Sequence, residues 1–306
     1  MVNVEIIAPR DVPLGGLRSM EVRRTLPHRA RPTIGAWCFI DHYGPERLTM
    51  DVAPHPHSGL QTVSWLFDGH ISHHDSAGHH LPVRPGELVL MTAGRGISHS
   101  EVAVDQMLHG AQLWTALPDA HRFDAPRVDR YRPAPVEADG ATLLVFLGTL
   151  AGSTSPVRAA TPLVGAEIRL PAGTRLSLPV NESFEHGVLV DSGRMAVEKR
   201  NVHPGELAYT GVGASELLLE AETDSRALLL GGEPFQEEFV MWWNFLGRTH
   251  EEVAEYQREW NAGGGRFGVT EGYENPLGGL GRIPAPQLPT VRMRPRRLAE
   301  PVARLR

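Results

Sequence analysis

The chain predicts an all-β protein built from two related halves and closed by one short helix. Three observations carry that reading. The 306 residues include 32 glycines and 25 prolines, so turns are frequent and long helical patterns are few. Apolar runs of strand length recur between turn signals, as at 61–67, 88–96 and 142–148. The turn vocabulary itself repeats. Pro85-Gly86-Glu87-Leu88 returns as Pro204-Gly205-Glu206-Leu207, and Phe67-Asp68-Gly69 has a counterpart in Val190-Asp191-Ser192-Gly193. The second half therefore reads as a diverged copy of the first.

Residues 1–54 read as short strands and turns. VEIIA and SMEVRRTLP are strand-like, Leu14-Gly15-Gly16 is a turn, and IGAWCFIDHYG is a buried aromatic run. Cys38 lies in that run and is expected to act as a small buried hydrophobe. GAQLWTALP reads as a core strand that stops at Pro118. Residues 118–140 are rich in Pro, Asp and Arg with little periodicity, which marks an inter-domain linker. The expected units are 1–133 and 134–306.

In the second half, Pro179 and Asn181 stand where the repeat would place His55 and His57, and SELLL carries no histidine. That copy is expected to lack a metal, with His186 and His203 as unrelated histidines. Thr249 and Glu252 have capping-box spacing. Val253, Tyr256 and Trp260 share one helical face, and Gly263-Gly264-Gly265 ends the helix. VMWWNFL before it is a packing surface. The end of the chain, with Arg292, Arg294, Arg296, Arg297, Arg304 and Arg306, is expected to be an extended, solvated tail.

Composition excludes several classes. A formal charge of −6 is a poor match for nucleic acid. The single cysteine allows no intrachain disulfide and agrees with a reducing compartment. No basic-then-apolar leader opens the chain, and no apolar run approaches the ~20 residues of a membrane helix. The expected location is cytoplasmic. GxSxG, GxxxxGK[ST] and HExxH patterns are all missing.

The chemistry concentrates between His55 and Glu101. Side chains i and i+2 of a strand point the same way, so His55 pairs with His57 and His99 with Glu101. An HxH pair alone is a weak signal. Here a second pair lies in a compatible strand. Pro54 and Pro56 restrict the backbone of the first pair, and Gly94 and Gly96 allow a tight turn before the second. If the two strands are neighbours facing inward, three imidazoles and one carboxylate converge, a set suited to a divalent first-row metal with open positions. Each imidazole then needs a partner on its second nitrogen; Gln61, Thr62, Ser98 and Gln112 are candidates. His70, His73, His74, His79 and His80 surround a turn and are expected to be solvated rather than ligands. His109 is expected to be structural.

The stretch HPHSGLQTVSWLFDG, then RPGELVLMTAGRGISHSE, then GAQLWTALP resembles the pirin family of the cupin superfamily. The resemblance extends over most of the chain. It implies two tandem cupin β-barrels, the first holding iron(II) at His55, His57, His99 and Glu101, the second degenerate. It also implies a quercetin 2,3-dioxygenase-type oxidoreductase that cleaves a small flavonol-like phenol with O2, with Glu101 as ligand and transient proton acceptor. The alternative it implies is a non-enzymatic, redox-responsive regulator binding a transcription factor or metabolic enzyme. Neither reading calls for direct nucleic-acid or membrane contact. One departure follows HPH: many relatives have Arg-Gly-Phe-Glu, whereas this chain has Ser58-Gly59-Leu60-Gln61, which removes a charge near the expected metal.

Overall fold

A computed structural model describes residues 3–14 and 20–295. Two β-barrels, each assembled from short strands around an apolar interior, stand side by side. The first is organised by two long antiparallel strands, Trp37–His57 and Ile97–Ala116. Each is too long to stay in one flat sheet. Register shifts between Tyr43 and Glu46, between Leu48 and Met50, and between Val52 and His55 bend the first of them. One half of Ile97–Ala116 pairs with Leu60–Asp68, the other with Ile71–Asp75, and so the barrel closes.

The second barrel has a seven-stranded sheet that includes Leu163–Leu170, Glu185–Ser192 and Ser225–Gly232. A four-stranded sheet faces it and includes Arg175–Pro179 and Glu216–Ala221. Its outermost strand comes from the far end of the chain: Val4–Ile7 pairs with Leu207–Thr210. The amino terminus therefore belongs to the second barrel, an exchange that local patterning could not show.

Residues 118–140 cross from one barrel to the other and carry an edge strand of each. Arg127–Tyr131 pairs with Leu88–Thr92 at an edge of the first sheet, and Pro135–Ala138 pairs with Ala141–Leu147 at an edge of the second. Edge strands bond on one side only, so they tolerate proline and charge and carry little apolar alternation. Arg130 also pairs with Glu87 at 2.6 Å.

The barrels share an apolar core. Trp65 packs on Phe146 with ring centroids 4.5 Å apart and donates its indole N–H to Glu167. Trp37 donates to the Gly231 carbonyl across the same interface. Burying two fully covered indoles here is worth several kcal/mol; truncating either to alanine is expected to cost about 3–5 kcal/mol. Cys38 is buried in this core.

The helix His250–Asn261 forms as the sequence predicts. Thr249 caps it by accepting from the Glu252 N–H, and Val253, Tyr256 and Trp260 are buried. Phe245 and Phe267 pack against it, so VMWWNFL is a packing surface. The segment then returns to the first barrel, where Ile283 N–H donates to the Pro54 carbonyl and Tyr273 donates to Asp51. Arg292 pairs with Glu251. Gly15, Gly16, Arg296, Arg297, Arg304 and Arg306 lie outside the described residues. Among the described residues, no helix is long and apolar enough to cross a membrane.

Candidate metal centre

His55 and His57 end the first long strand, and His99 lies near the start of the second. His55 is the direct cross-strand partner of His99. The three rings meet with centroids 4.4, 5.0 and 5.1 Å apart, and one nitrogen from each lies within 4.8 Å of the others. All three side chains are buried. Two glycines allow the approach. A side chain on Gly59, at φ +71°, would strike the Leu246 carbonyl, and one on Gly94, at φ +51°, would strike that of Asp124.

Electrostatics keeps these rings neutral. Burial lowers the pKa of His55 to about 4. Burial, together with the neighbouring imidazoles, holds His57 and His99 well below the ordinary range. A neutral imidazole offers a lone pair, the form a cation requires. His57 Nδ1 and His99 Nε2 are buried with no hydrogen-bond partner. Unpaired buried nitrogens are costly in an otherwise satisfied interior, and a cation shared by the three rings would satisfy His99 Nε2 directly. The donor set fits a divalent metal.

Glu101 lies with His99, as the i, i+2 spacing expects. Its carboxylate groups with His99 and His73 rather than with His55 and His57. In the ladder Glu101 is opposite Val52 and His99 opposite His55, with a register shift between the two pairs. Burial raises the Glu101 pKa, partly offset by His73 and by a hydrogen bond from Ser64. The Ser64 hydroxyl lies 3.3 Å from Glu101 and 2.9 Å from Gln112.

The expected solvation of His73 is wrong. His73 is buried in the strand Ile71–Asp75, with Nδ1 3.3 Å from His99 Nδ1 and Nε2 3.1 Å from Asp75. The nearby turn suggested exposure, but the strand pairs with Ile97–Ala116 and turns His73 inward. Asp75 is buried as well. Although burial opposes its ionisation, hydrogen bonds from His73 and His79 hold its pKa below the usual carboxylate value. The i, i+2 rule that found His55 and His57 also relates His73 to Asp75, and was the available signal. His70 is exposed, His79 is partly exposed, and His74 packs against His80 with the rings tilted.

The other expected partners lie elsewhere. Gln61 bonds Thr92 and Thr115, and Ser98 bonds Thr270. His55 Nδ1 lies 3.0 Å from the Ala53 carbonyl, a backbone partner that sequence cannot reveal. His109 lies with His42 and Arg226 around the buried Asp191 carboxylate between the barrels, and His42, His109 and Asp191 bring their ligand atoms within 4.8 Å of one another. In the second barrel, Pro179, Asn181 and the buried His186 line a cavity of 220 Å³, and His203 is exposed.

Residues 18–115 match the Pirin family and residues 165–268 the Pirin C-terminal cupin domain. A Pseudomonas aeruginosa protein provisionally named quercetin 2,3-dioxygenase is 40% identical over 290 residues, 92% of this chain and 90% of its own. The chain belongs to the pirin family. Mouse pirin is 32% identical over 66% of this chain and 73% of its own length. Among solved structures, a quercetin 2,3-dioxygenase from Acinetobacter baumannii superposes with a TM-score of 0.89 at 37% identity, covering 95% of this chain and 97% of that one. Within the pirin frame, the histidine cluster lies in the Pirin match itself and not in the C-terminal cupin domain.

Proposed function

We propose that this pirin-family chain is a metal-dependent dioxygenase that uses O2 to cleave a small flavonol-like phenol. The observation that carries the reading is the buried trio His55, His57 and His99, neutral and within reach of one ion. The similarity to the A. baumannii quercetin 2,3-dioxygenase supports the substrate class. His55, His57 and His99 would hold iron(II), with Glu101 beside His99 completing the donor set. Iron(II) there would supply a Lewis-acidic, redox-active centre at which an enolic oxygen and O2 can be brought together.

The side chains supply the rest. Glu101 would take the proton of the substrate hydroxyl, with a proton affinity that burial raises. Ser64 holds that carboxylate in place. Trp114 stands edge-on to His57 and stacks on Phe39, which gives the cluster an apolar aromatic wall that excludes water. The single, buried cysteine suits work in the reducing cytoplasm.

The test is O2 uptake by iron-loaded protein with quercetin. Consumption that follows iron content supports the proposal. No uptake, where an authentic quercetinase under the same conditions is active, rejects it.

A further inference from the structure

His99 presents two nitrogens to two different surroundings. Nε2 is buried without a partner, while Nδ1 faces Nδ1 of His73 at 3.3 Å. Two ring nitrogens at that distance share one hydrogen, so one donates and the other accepts. What lies behind His73 decides which. Its Nε2 is 3.1 Å from Asp75 Oδ2. The Asp75 carboxylate also receives the Ala77 N–H at 2.9 Å, the His79 N–H at 3.1 Å and His79 Nδ1 at 3.0 Å. A group ringed by donors is an ionised acceptor. A hydrogen therefore sits on His73 Nε2, and His73 Nδ1 is left as the acceptor that faces His99. His99 must then carry its hydrogen on Nδ1 and its lone pair on Nε2.

We propose that Asp75 and His73 are positioning residues, which act through His99 by fixing the tautomer that aims its Nε2 lone pair at His55 and His57. The proposal rests on the metal reading above, in that the lone pair is put to use by a cation. The backbone is built for the task. Asp75 pairs directly with His99 and His73 with Glu101, so the strand carrying the positioning pair is bonded along the strand carrying the ligand. Neither residue can drift without breaking that ladder. Residues that orient a ligating imidazole in this way typically contribute ten- to hundred-fold in metal affinity. His73 also groups with His99 and Glu101 at ligand distance, so a rival arrangement makes His73 a ligand itself. The two differ in what they predict.

The experiment begins on metal-free protein labelled with 15N-histidine, in which ring 15N shifts report each tautomer. His99 is expected as the Nδ1–H form in the wild type, and as a mixture in His73→Phe. Cobalt(II) affinity, from chelator competition, should fall about ten- to hundred-fold in His73→Phe and Asp75→Ala. The cobalt absorption bands of these variants should keep the wild-type coordination pattern. Asp75→Asn, which keeps the shape and an acceptor oxygen, should lose less, and it serves as the measured variant if His73→Phe fails to fold. An Nε2–H tautomer in the wild type overturns the proposal. So does a His73→Phe loss as complete as that of His99→Ala with altered cobalt bands, which would make His73 a ligand. Wild-type protein with the stated tautomer but no affinity for cobalt or iron overturns the metal reading instead, and the metal-free spectra tell the two failures apart.

Discussion

His55 and His99, far apart in the chain, are direct cross-strand partners whose rings lie 4.4 Å apart. Their strands are joined along much of their length, so the pair is set by backbone hydrogen bonds rather than by flexible side chains. Removing either ring takes away one of three convergent donors. His55→Ala and His99→Ala are expected to leave purified protein without stoichiometric metal by elemental analysis, while His186→Ala keeps the wild-type content. Equal metal in all three would show that the ion is held elsewhere.

Glu101 offers a carboxylate oxygen within 4.8 Å of nitrogens of His99 and His73. Three imidazoles remain when its charge is removed. Glu101→Gln should therefore bind the metal more weakly without losing it, and at saturating metal it should lower kcat on a flavonol about 10²-fold or more, because the proton acceptor is gone. Parallel metal analysis and steady-state kinetics check both halves. A kcat that falls only in proportion to metal content would assign Glu101 to binding alone.

Asp191 joins the barrels. It accepts from His42 at 2.7 Å and from Arg226 at 2.7 Å, with His109 at 2.5 Å. Burial works against its ionisation, but the hydrogen bonds from His109 and His42 prevail and hold its carboxyl far below the usual range. Asp191→Ala would leave these donors buried and unmatched, at a cost of about 3 kcal/mol. Urea denaturation measures it. A double-mutant cycle with His42→Gln should be non-additive, because both changes break one network. Additive losses would dissolve the network into independent contacts.

His186 makes stability depend on acid. Burial lowers its pKa to about 4, against an ordinary value near 6.5. Above about pH 6.5 the ring is neutral folded and unfolded, and it adds no pH dependence. Between about 6.5 and 4 the unfolded chain binds a proton that the folded chain refuses, so stability falls as pH falls. Below about 4 both states are protonated and the loss levels off, at up to about 3 kcal/mol. His186→Phe should flatten the pH dependence of the urea midpoint over that window relative to wild type. An unchanged slope would show that the ring is already accessible to protons.

Local rules in the chain determined much of this molecule. Alternation marked the strands, repeated Pro-Gly-Glu-Leu turns marked the two halves, and Thr249 with Val253, Tyr256 and Trp260 marked the helix. The i, i+2 rule placed His55 with His57 and His99 with Glu101, because strand geometry is set residue by residue. Other features depend on which strand lies beside which, and that is decided only when the barrels close. Tertiary structure drew Val4–Ile7 into the second barrel and made Arg127–Tyr131, within the expected linker, an edge strand. It buried His73 and Asp75 against His99 and brought His73 beside Glu101. Each is a long-range pairing, whose energy comes from contacts between segments that carry no mark of one another in the order of their residues.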